Sequence, residues 1–278
     1  MDIGFVGIGL IGGSLLKAIK KYTNNNCFFL DKNIDAIKKA KVLGLGEELN
    51  DESMLSKCDI VFVSLHPQKT IDFINSNTKN FKKGAIVCDV CGIKKEIANQ
   101  IQANLIKENV HYIGTHPMAG REFSGFDYST EKLFENAYFI ITKNENTNDD
   151  ALEKIQTLAE SLRFKKCVIS TEDEHDKIIA FTSQLAHIVS SAYIKSPSAL
   201  MEKGFSAGSF QDMTRVAYLN EDMWTELFMM NKQNLVYEIE TIVNHLNEYK
   251  NALISGDDKN LHTLLKEGRE LKEAVTKM

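Results

Sequence analysis

The sequence predicts two domains of different fold class, an α/β N-terminal domain built on a parallel β-sheet and then an all-α domain. Short apolar stretches alternate with helical patterns over the first 170 residues. After residue 170 the strand patterns stop, and apolar residues recur at helical spacing. Continuous apolar strands that alternate with helices are typical of a parallel sheet covered on both faces. We therefore expect one domain over residues 1–170 and a helical domain over residues 171–278.

Seven short apolar stretches predict the strands of the first domain. The stretch at residues 59–65 is apolar at most positions, which is typical of a strand buried on both faces. Helical patterns over about residues 13–21 and from residue 34 separate the first three strands. The predicted strands cover residues 3–6, 27–30, 59–65, 85–90, 111–114, 137–142 and 167–170.

The second domain is predicted to contain three main helices. The first covers residues 171–193, with Thr171 as its N-cap and acidic residues in its first turn. A long helix is predicted over residues 221–250, and Asp257 or Asp258 caps a final helix. The apolar stripe of the long helix is either a core within one subunit or a surface buried against a second copy. We expect the second copy, and therefore a homodimer. The stripe consists of Leu227, Phe228, Leu235, Ile239, Ile242, Val243 and Leu246.

The composition is that of an ordinary globular protein. The chain has 278 residues, of which 43% are hydrophobic and 26% charged, and a formal net charge of −5. Proteins dedicated to nucleic-acid binding usually carry a basic excess, so we expect no nucleic-acid partner. No stretch approaches the ~20 apolar residues of a membrane-spanning helix, so we expect no membrane partner. No targeting segment is visible, and five scattered cysteines suit a reducing compartment, which predicts a cytoplasmic protein.

A glycine-rich turn joins the first strand to the first helix. A lone G-x-G-x-x-G pattern is a weak signal, but this one lies between a strand and a helix. There Gly7 permits a tight turn, Gly9 lets a pyrophosphate approach the backbone, and Gly12 lets helix and strand pack closely. The turn predicts a Rossmann-type dinucleotide-binding domain, with Leu65 at the end of another strand also lining the cofactor site. The turn reads Gly7, Ile8, Gly9, Leu10, Ile11, Gly12.

Asp31 indicates which dinucleotide is bound. It ends the second predicted strand. A carboxylate at this place accepts hydrogen bonds from the adenosine ribose hydroxyls and repels a 2′-phosphate. We therefore expect NAD rather than NADP, although the neighbouring Lys32 could tolerate the phosphate.

His116 is the first candidate catalytic residue. It lies at a strand end and is followed by a proline and glycines, in the stretch at residues 114–125. Ligands of α/β sheets bind beyond the carboxyl ends of the strands. A histidine at this place can take the proton of an alcohol while hydride leaves its carbon. The alternative is a structural histidine that is held by hydrogen bonds.

Arg215 is the second candidate. It is flanked by apolar residues and is expected to point inward, where an arginine needs an anion. That anion is either Asp212, three residues earlier, or a substrate carboxylate.

Another motif, C-x-x-C at Cys88 and Cys91, is either part of an apolar strand or a redox dithiol. No second pair completes a zinc site, so we expect no metal.

These stretches closely resemble the prephenate/arogenate dehydrogenase family of tyrosine biosynthesis. The likeness covers nearly the whole chain in the right order. Its most specific parts are H-P-M-A-G-x-E-x-S-G from residue 116 and D-x-T-R at residues 212–215. The glycine motif at residues 7–14, the pair His175–Asp176 and the segment at residues 182–187 also match.

The resemblance implies NAD-dependent oxidative decarboxylation of prephenate to 4-hydroxyphenylpyruvate, or of arogenate to tyrosine, in a homodimer paired through the helical domain. It implies that His116 hydrogen-bonds the ring C4 hydroxyl and that Arg215 binds the ring carboxylate. His187 corresponds to a second active-site histidine near the substrate side chain, and Gly208 to a glycine lining the pocket. The residues implied at the pocket entrance are Glu122, Asp212 and Trp224.

One departure from the family pattern bears on the catalytic histidine. The family commonly has a serine in a D-x-G-S-x-K stretch, and its hydroxyl supports the catalytic histidine. In this chain Gly92 stands at that position, within residues 89–94. Losing one neutral hydrogen bond costs about 1 kcal/mol, which would modulate the rate without abolishing the chemistry. Gly92 is still expected to line the substrate site.

Two other functions are compatible with the domain pattern. One is a different dehydrogenase with a Rossmann and a helical domain, acting on a hydroxy acid or an imino acid. Such families often use a helical lysine, whereas the candidate here is a strand-end histidine. The other is a sensor that binds NAD without turnover.

Overall fold

The computed structural model describes residues 1–121 and 123–277. Its contacts divide the chain into two compact units, Met1–Asn231 and Lys232–Met278. Within the described ranges, no helix combines the length and the apolar character needed to cross a membrane.

An eight-stranded sheet, counted over the described residues, forms the centre of the first unit. The strands are β1 (Asp2–Val6), β2 (Asn26–Leu30), β3 (Glu47–Glu48), β4 (Ile60–Val63), β5 (Ile86–Asp89), β6 (His111–Pro117), β7 (Tyr138–Lys143) and β8 (Lys166–Thr171). Their spatial order in the sheet is β3-β2-β1-β4-β5-β6-β7-β8. The seven predicted strands are present, with ends that differ by a few residues.

The sheet is mostly parallel, as the sequence predicts, and contains one antiparallel pair at β6 and β7. β7 runs antiparallel to β6, and all other neighbours are parallel. A parallel return usually needs a crossover helix. Between Met118 and Ala137 the described residues contain only one short 3₁₀ turn, Phe126–Tyr128. The chain therefore re-enters the sheet in the opposite direction.

Helices cover both faces of the sheet, as the continuous apolar strands predict. These helices are α1 (Leu10–Tyr22), α2 (Ile34–Val42), α3 (Pro67–Ser76), α4 (Lys95–Lys107) and α5 (Asp149–Ser161). One core packs residues such as Phe5, Phe29 and Phe62 against α1, α2 and α5. The other packs alternate residues, such as Val61 and Val87, against α3 and α4.

Four further helices complete the first unit. They are α6 (Glu172–Ile179), α7 (Ala186–Ile194), α8 (Gly208–Thr214) and α9 (Glu221–Met230). A π-helical stretch, Ala180–Leu185, joins α6 to α7. Thr171 is the N-cap, as predicted, because its hydroxyl accepts a hydrogen bond from Glu174 N at 3.2 Å. Leu227 of α9 packs into the same core as α3 and α4, so the contact boundary falls after this helix. The domain boundary at residues 170 and 171 stays a prediction.

The second unit consists of α10 (Lys232–Ser255) and α11 (Asp258–Lys277). The predicted single helix over residues 221–250 is wrong, because Asn231 separates α9 from α10. Its buried side-chain amide donates to Asp176 O and Gln184 Oε1, both at 2.8 Å. At the start of α11, Asp257 is the cap, since its carboxylate accepts from Asn260 N at 2.9 Å.

Candidate active site

The candidate site lies at the edge where β1, β4, β5 and β6 end. These four strands are parallel neighbours, so their carboxyl ends meet at one edge of the sheet. The glycine turn follows β1, Leu65 follows β4, and Gly92 follows β5, while His116 lies at the end of β6. The fold therefore brings the predicted cofactor turn and the candidate catalytic histidine to the same edge.

The glycine turn has the geometry of a dinucleotide site. Gly7 has φ of 82°, a conformation that favours glycine. A Cβ on Gly12 would clash with the carbonyl oxygen of Gly7, so the close approach of turn and helix needs glycine. A Cβ on Gly9 would meet nothing within 4 Å. This open backbone lies at the N-terminus of α1, where amide groups and the helix dipole favour a phosphate.

Asp31 lies next to this turn. Its Oδ2 accepts a hydrogen bond from Ile8 N at 2.6 Å, and its Oδ1 accepts from Asn33 N at 2.7 Å. Each carboxylate oxygen has a second lone pair, so the group can still receive ribose hydroxyls. Lys32 is exposed. On the other side, Leu65 Cδ2 would lie 2.9 Å from a Cβ on Gly7, so Leu65 also borders the turn.

His116 is half-buried and held on one side by a second histidine. Its Nδ1 lies 2.9 Å from His175 Nε2. Its other side faces Gly92, where a Cβ would lie 3.8 Å from His116 Nε2. Burial, followed by the positive charge that His175 and Lys94 can carry, holds the pKa of His116 well below its ordinary value. His116 is therefore neutral at neutral pH, as a general base must be.

His175 and Asp176 form a buried pair behind His116. His175 Nδ1 lies 2.7 Å from Asp176 Oδ1. The two oxygens of Asp176 accept hydrogen bonds from Lys94 N and Lys95 N, both at 2.9 Å, at the start of α4. Burial lowers the pKa of His175, although the bond to Asp176 acts in the opposite direction. The family resemblance includes this pair, but the sequence alone indicates no role for it in the site.

A buried ion pair lies below the histidines. Lys94 Nζ bonds the Asp89 carboxylate and donates to Thr115 O at 2.7 Å, and both charged side chains are fully buried. Tyr112 OH donates to Asp89 Oδ2 at 2.6 Å. Both charges belong to the stretch at residues 89–94 that contains Gly92. The family pattern D-x-G-S-x-K contains both charged residues, but the sequence alone does not indicate that they pair.

A second group surrounds His187. Its Nδ1–H donates to Val216 O at 2.8 Å, and its ring lies 3.9 Å from the Trp224 ring between centroids. Burial lowers the pKa of His187, and the positive charge of Arg215 lowers it further. Arg215 is exposed in the single chain, so the prediction that it points inward is wrong. Arg215 begins a short 3₁₀ turn directly after α8 ends at Thr214.

α9 connects the two groups. Leu227 Cδ2 lies 3.8 Å from the position of a Cβ on Gly92, next to His116. Trp224, one turn earlier on the same helix, contacts His187. The face of α9 that carries Trp224 and Leu227 therefore borders both groups, with His116 and Gly92 next to Leu227 and His187 next to Trp224. Arg215 is close enough to His187 for its positive charge to lower the pKa of that histidine.

For three predicted site residues, the contacts of the described part of the chain establish no place at either group of histidines. Gly208 and Asp212 are exposed on α8, so their place at the pocket stays a prediction. Glu122 lies outside the described residues.

The C-x-x-C pair does not have the features of a reactive dithiol. Cys88 and Cys91 are buried, and burial raises the pKa of Cys91 to about 12.

Comparison with known protein families matches both parts of the chain. A family model described as "Prephenate dehydrogenase, nucleotide-binding domain" matches residues 15–168, which is more than half of the chain. A second model, described as "Prephenate dehydrogenase, dimerization domain", matches residues 171–267.

Individual proteins are similar over the full length. A cyclohexadienyl dehydrogenase of Zymomonas mobilis is 28% identical, over 98% of this chain and 95% of that protein. The crystal structure of Synechocystis arogenate dehydrogenase is 26% identical, with a TM-score of 0.84, over 99% of this chain and 100% of that chain. A prephenate dehydrogenase from A. aeolicus, in complex with hydroxyphenyl propionate and NAD+, is 25% identical. Its TM-score is 0.88, over 99% of this chain and 98% of that chain.

Proposed function

The chain belongs to the prephenate dehydrogenase family, and we propose that it converts prephenate to 4-hydroxyphenylpyruvate with NAD as the oxidant. The observation that carries this proposal is the half-buried His116 at the sheet edge shared with the glycine turn, where burial lowers its pKa. A base at this position can act on an alcohol next to the bound cofactor. Arogenate is the alternative substrate, because one similar structure is an arogenate dehydrogenase.

The residues around the glycine turn fit a dinucleotide. The open backbone at Gly9 and the N-terminus of α1 would hold the pyrophosphate. Asp31 would bind the ribose hydroxyls and disfavour a 2′-phosphate, which supports NAD over NADP. When bound at these residues, NAD would supply the acceptor for the hydride from C4 of the substrate ring.

His116 provides the acid–base step. Its Nε2 takes the proton of the C4 hydroxyl as hydride leaves C4. The electron pair of the bond between C1 and the carboxylate then flows into the ring as CO2 departs. The ring becomes aromatic, and the C4 oxygen recovers a proton. A neutral His116 is required at the start because a protonated ring cannot accept that proton.

Arg215 and His187 are assigned to substrate binding. Arg215 would pair with the ring carboxylate, a charge-assisted contact that contributes about 1.5–3 kcal/mol. Its exposure in the single chain and its action on His187 support an anion site beside that histidine. His187 donates from Nδ1, so in its neutral form Nε2 can accept a hydrogen bond from the substrate side chain. Gly208, Asp212, Trp224 and Glu122 are proposed to border the same pocket.

We also propose a homodimer through the helical domain, and a cytoplasmic location. Apolar residues such as Leu246 and Leu253 of α10 are more than half exposed in the single chain. Large exposed apolar surfaces usually mark interfaces. All five cysteines are free thiols, which suits a reducing compartment.

The variant His116→Asn tests the proposal. It removes the base while keeping a polar side chain of smaller size, so we expect turnover to fall about 100-fold or more. NAD binding, measured by calorimetry, should be unchanged because His116 is not part of the glycine turn. Turnover near that of the unmodified protein would remove His116 from the catalytic role.

A further inference from the structure

Three side chains form a continuous line from the candidate base into the protein interior. His116 Nδ1 lies 2.9 Å from His175 Nε2, and His175 Nδ1 lies 2.7 Å from Asp176 Oδ1. His175 and Asp176 are only 3% exposed. The backbone amides of Lys94 and Lys95 hold both oxygens of Asp176, so the inner end of the line is fixed.

The hydrogen bonds determine where each proton lies. Both oxygens of Asp176 accept backbone N–H groups, so Asp176 is the acceptor and His175 Nδ1 carries a proton. A neutral His175 then has an unprotonated Nε2, which can only accept. His116 must therefore carry its proton on Nδ1, and its Nε2 is left with a free lone pair.

The opposite side of the ring has no comparable support from residue 92. A Cβ added at Gly92 would lie 3.8 Å from His116 Nε2, but glycine has no side chain that could form a hydrogen bond with this nitrogen. The ring orientation and its tautomer therefore depend on the Nδ1 side. Because burial also favours neutral histidines here, His116 and His175 are both uncharged when the protein awaits its substrate.

We propose that His175 is a positioning residue that selects the tautomer of His116 in which Nε2 is free to accept the substrate proton, and that Asp176 in turn selects the tautomer of His175. The role in turnover rests on the proposed function of His116. The tautomer itself is a property of the protein without substrate. When His116 takes up a proton, its Nδ1–H continues to donate to His175, so the charged ring keeps its partner.

Two substitutions of similar size separate this role from packing. His175→Gln keeps an oxygen that can accept from His116 Nδ1–H, whereas His175→Leu fills the space without an acceptor. We expect His175→Leu to lower kcat about tenfold to hundredfold, as is typical for partners that orient a functional histidine. The KM for NAD should not change, and His175→Gln should recover most of the lost kcat. Equal kcat for the Leu variant and the unmodified protein would overturn the proposal.

A spectroscopic measurement decides the tautomer without any substrate. In protein labelled with ¹⁵N-histidine, the His116 signals are identified by their loss in His116→Asn. We expect a protonated Nδ1 and an unprotonated Nε2 for His116, with the exposed ring of His262 as an internal reference. A proton on Nε2 in the unmodified protein would refute the proposal even if His175→Leu fails to fold. Absence of turnover together with the expected tautomer would instead contradict the proposed function alone.

Discussion

At the scale of single residues, the proposed mechanism depends on the charge state of His116. A base must be unprotonated, and a buried imidazole loses the hydration that stabilises its charged form. The pKa of His116 lies well below its ordinary value for this reason, and the pKa values of His175 and His187 are also lowered by burial. His116 is therefore expected to stay neutral through the usual range of histidine titration.

The pH profile should show this directly. Activity is present when His116 is deprotonated and is lost as pH falls through its pKa in the folded protein. Because that pKa is lowered, we expect kcat/KM to stay level through pH 6.5 and to decline only at clearly lower pH. kcat/KM reports on the free enzyme, which is the state described here. A decline centred at pH 6.5 or above would contradict the lowered pKa.

The residues of the site differ in how far the sequence predicts them. His116 was predictable because a histidine at a strand end belongs to a local pattern. The partnership with His175 was not, because 59 positions separate the two residues and only the packing of α6 beside β6 joins them. The apolar neighbours of Arg215 predict an inward position, but this residue is exposed in the single chain.

At the scale of elements, the start of α4 is the most constrained part of the site. The buried Lys94 bonds Asp89, and its backbone amide bonds Asp176. Removing one partner of a buried ion pair leaves an uncompensated charge, which is usually worse than having neither. This element therefore affects both stability and the position of Gly92.

We expect Lys94→Met to lower the free energy of unfolding by about 3–5 kcal/mol, because Asp89 would stay buried without its cation. Urea unfolding followed by circular dichroism measures the change. The matched control is Lys95→Met, since Lys95 and its partner Asp173 are 53% and 75% exposed. The control should change stability little, because exposed ion pairs contribute little. Equal changes in the free energy of unfolding for the two variants would show that the buried ion pair contributes no more to stability than the exposed one.

Strands and helices were predictable where an apolar pattern marks them. The strands β1 and β4 are buried on both faces, and their sequences are correspondingly apolar. β3 was missed because its two residues, Glu47 and Glu48, have no such pattern. The helix break at Asn231 was missed because it depends on hydrogen bonds to Asp176 and Gln184, which are distant in the sequence.

At the scale of the whole molecule, the apolar surface of the second unit requires an explanation. Several large apolar side chains of α10 and α11 are about half exposed or more in the single chain. A monomer rarely exposes so many on one pair of helices. They include Val236, Tyr237, Val243, Leu246, Leu253, Ile254, Leu265, Leu271 and Val275.

We expect the protein to be a dimer in solution and Leu246→Glu to shift it toward the monomer, because a charge would enter the apolar interface. Sedimentation velocity at several protein concentrations measures the shift. Asn244→Glu is the control, since residue 244 lies about 200° around the same helix from residue 246. A monomeric unmodified protein, or an equal response to both substitutions, would contradict this interface.

The central claim is that this chain oxidises a cyclohexadienyl substrate with NAD at the edge shared by the glycine turn and His116. The most direct test is NADH formation at 340 nm by the purified protein, with prephenate and arogenate assayed in parallel. We predict turnover with NAD, with a higher kcat/KM for prephenate than for arogenate. No turnover with either substrate, in protein that still binds NAD, would contradict the claim and would mean that Gly92 accompanies a lost or altered activity.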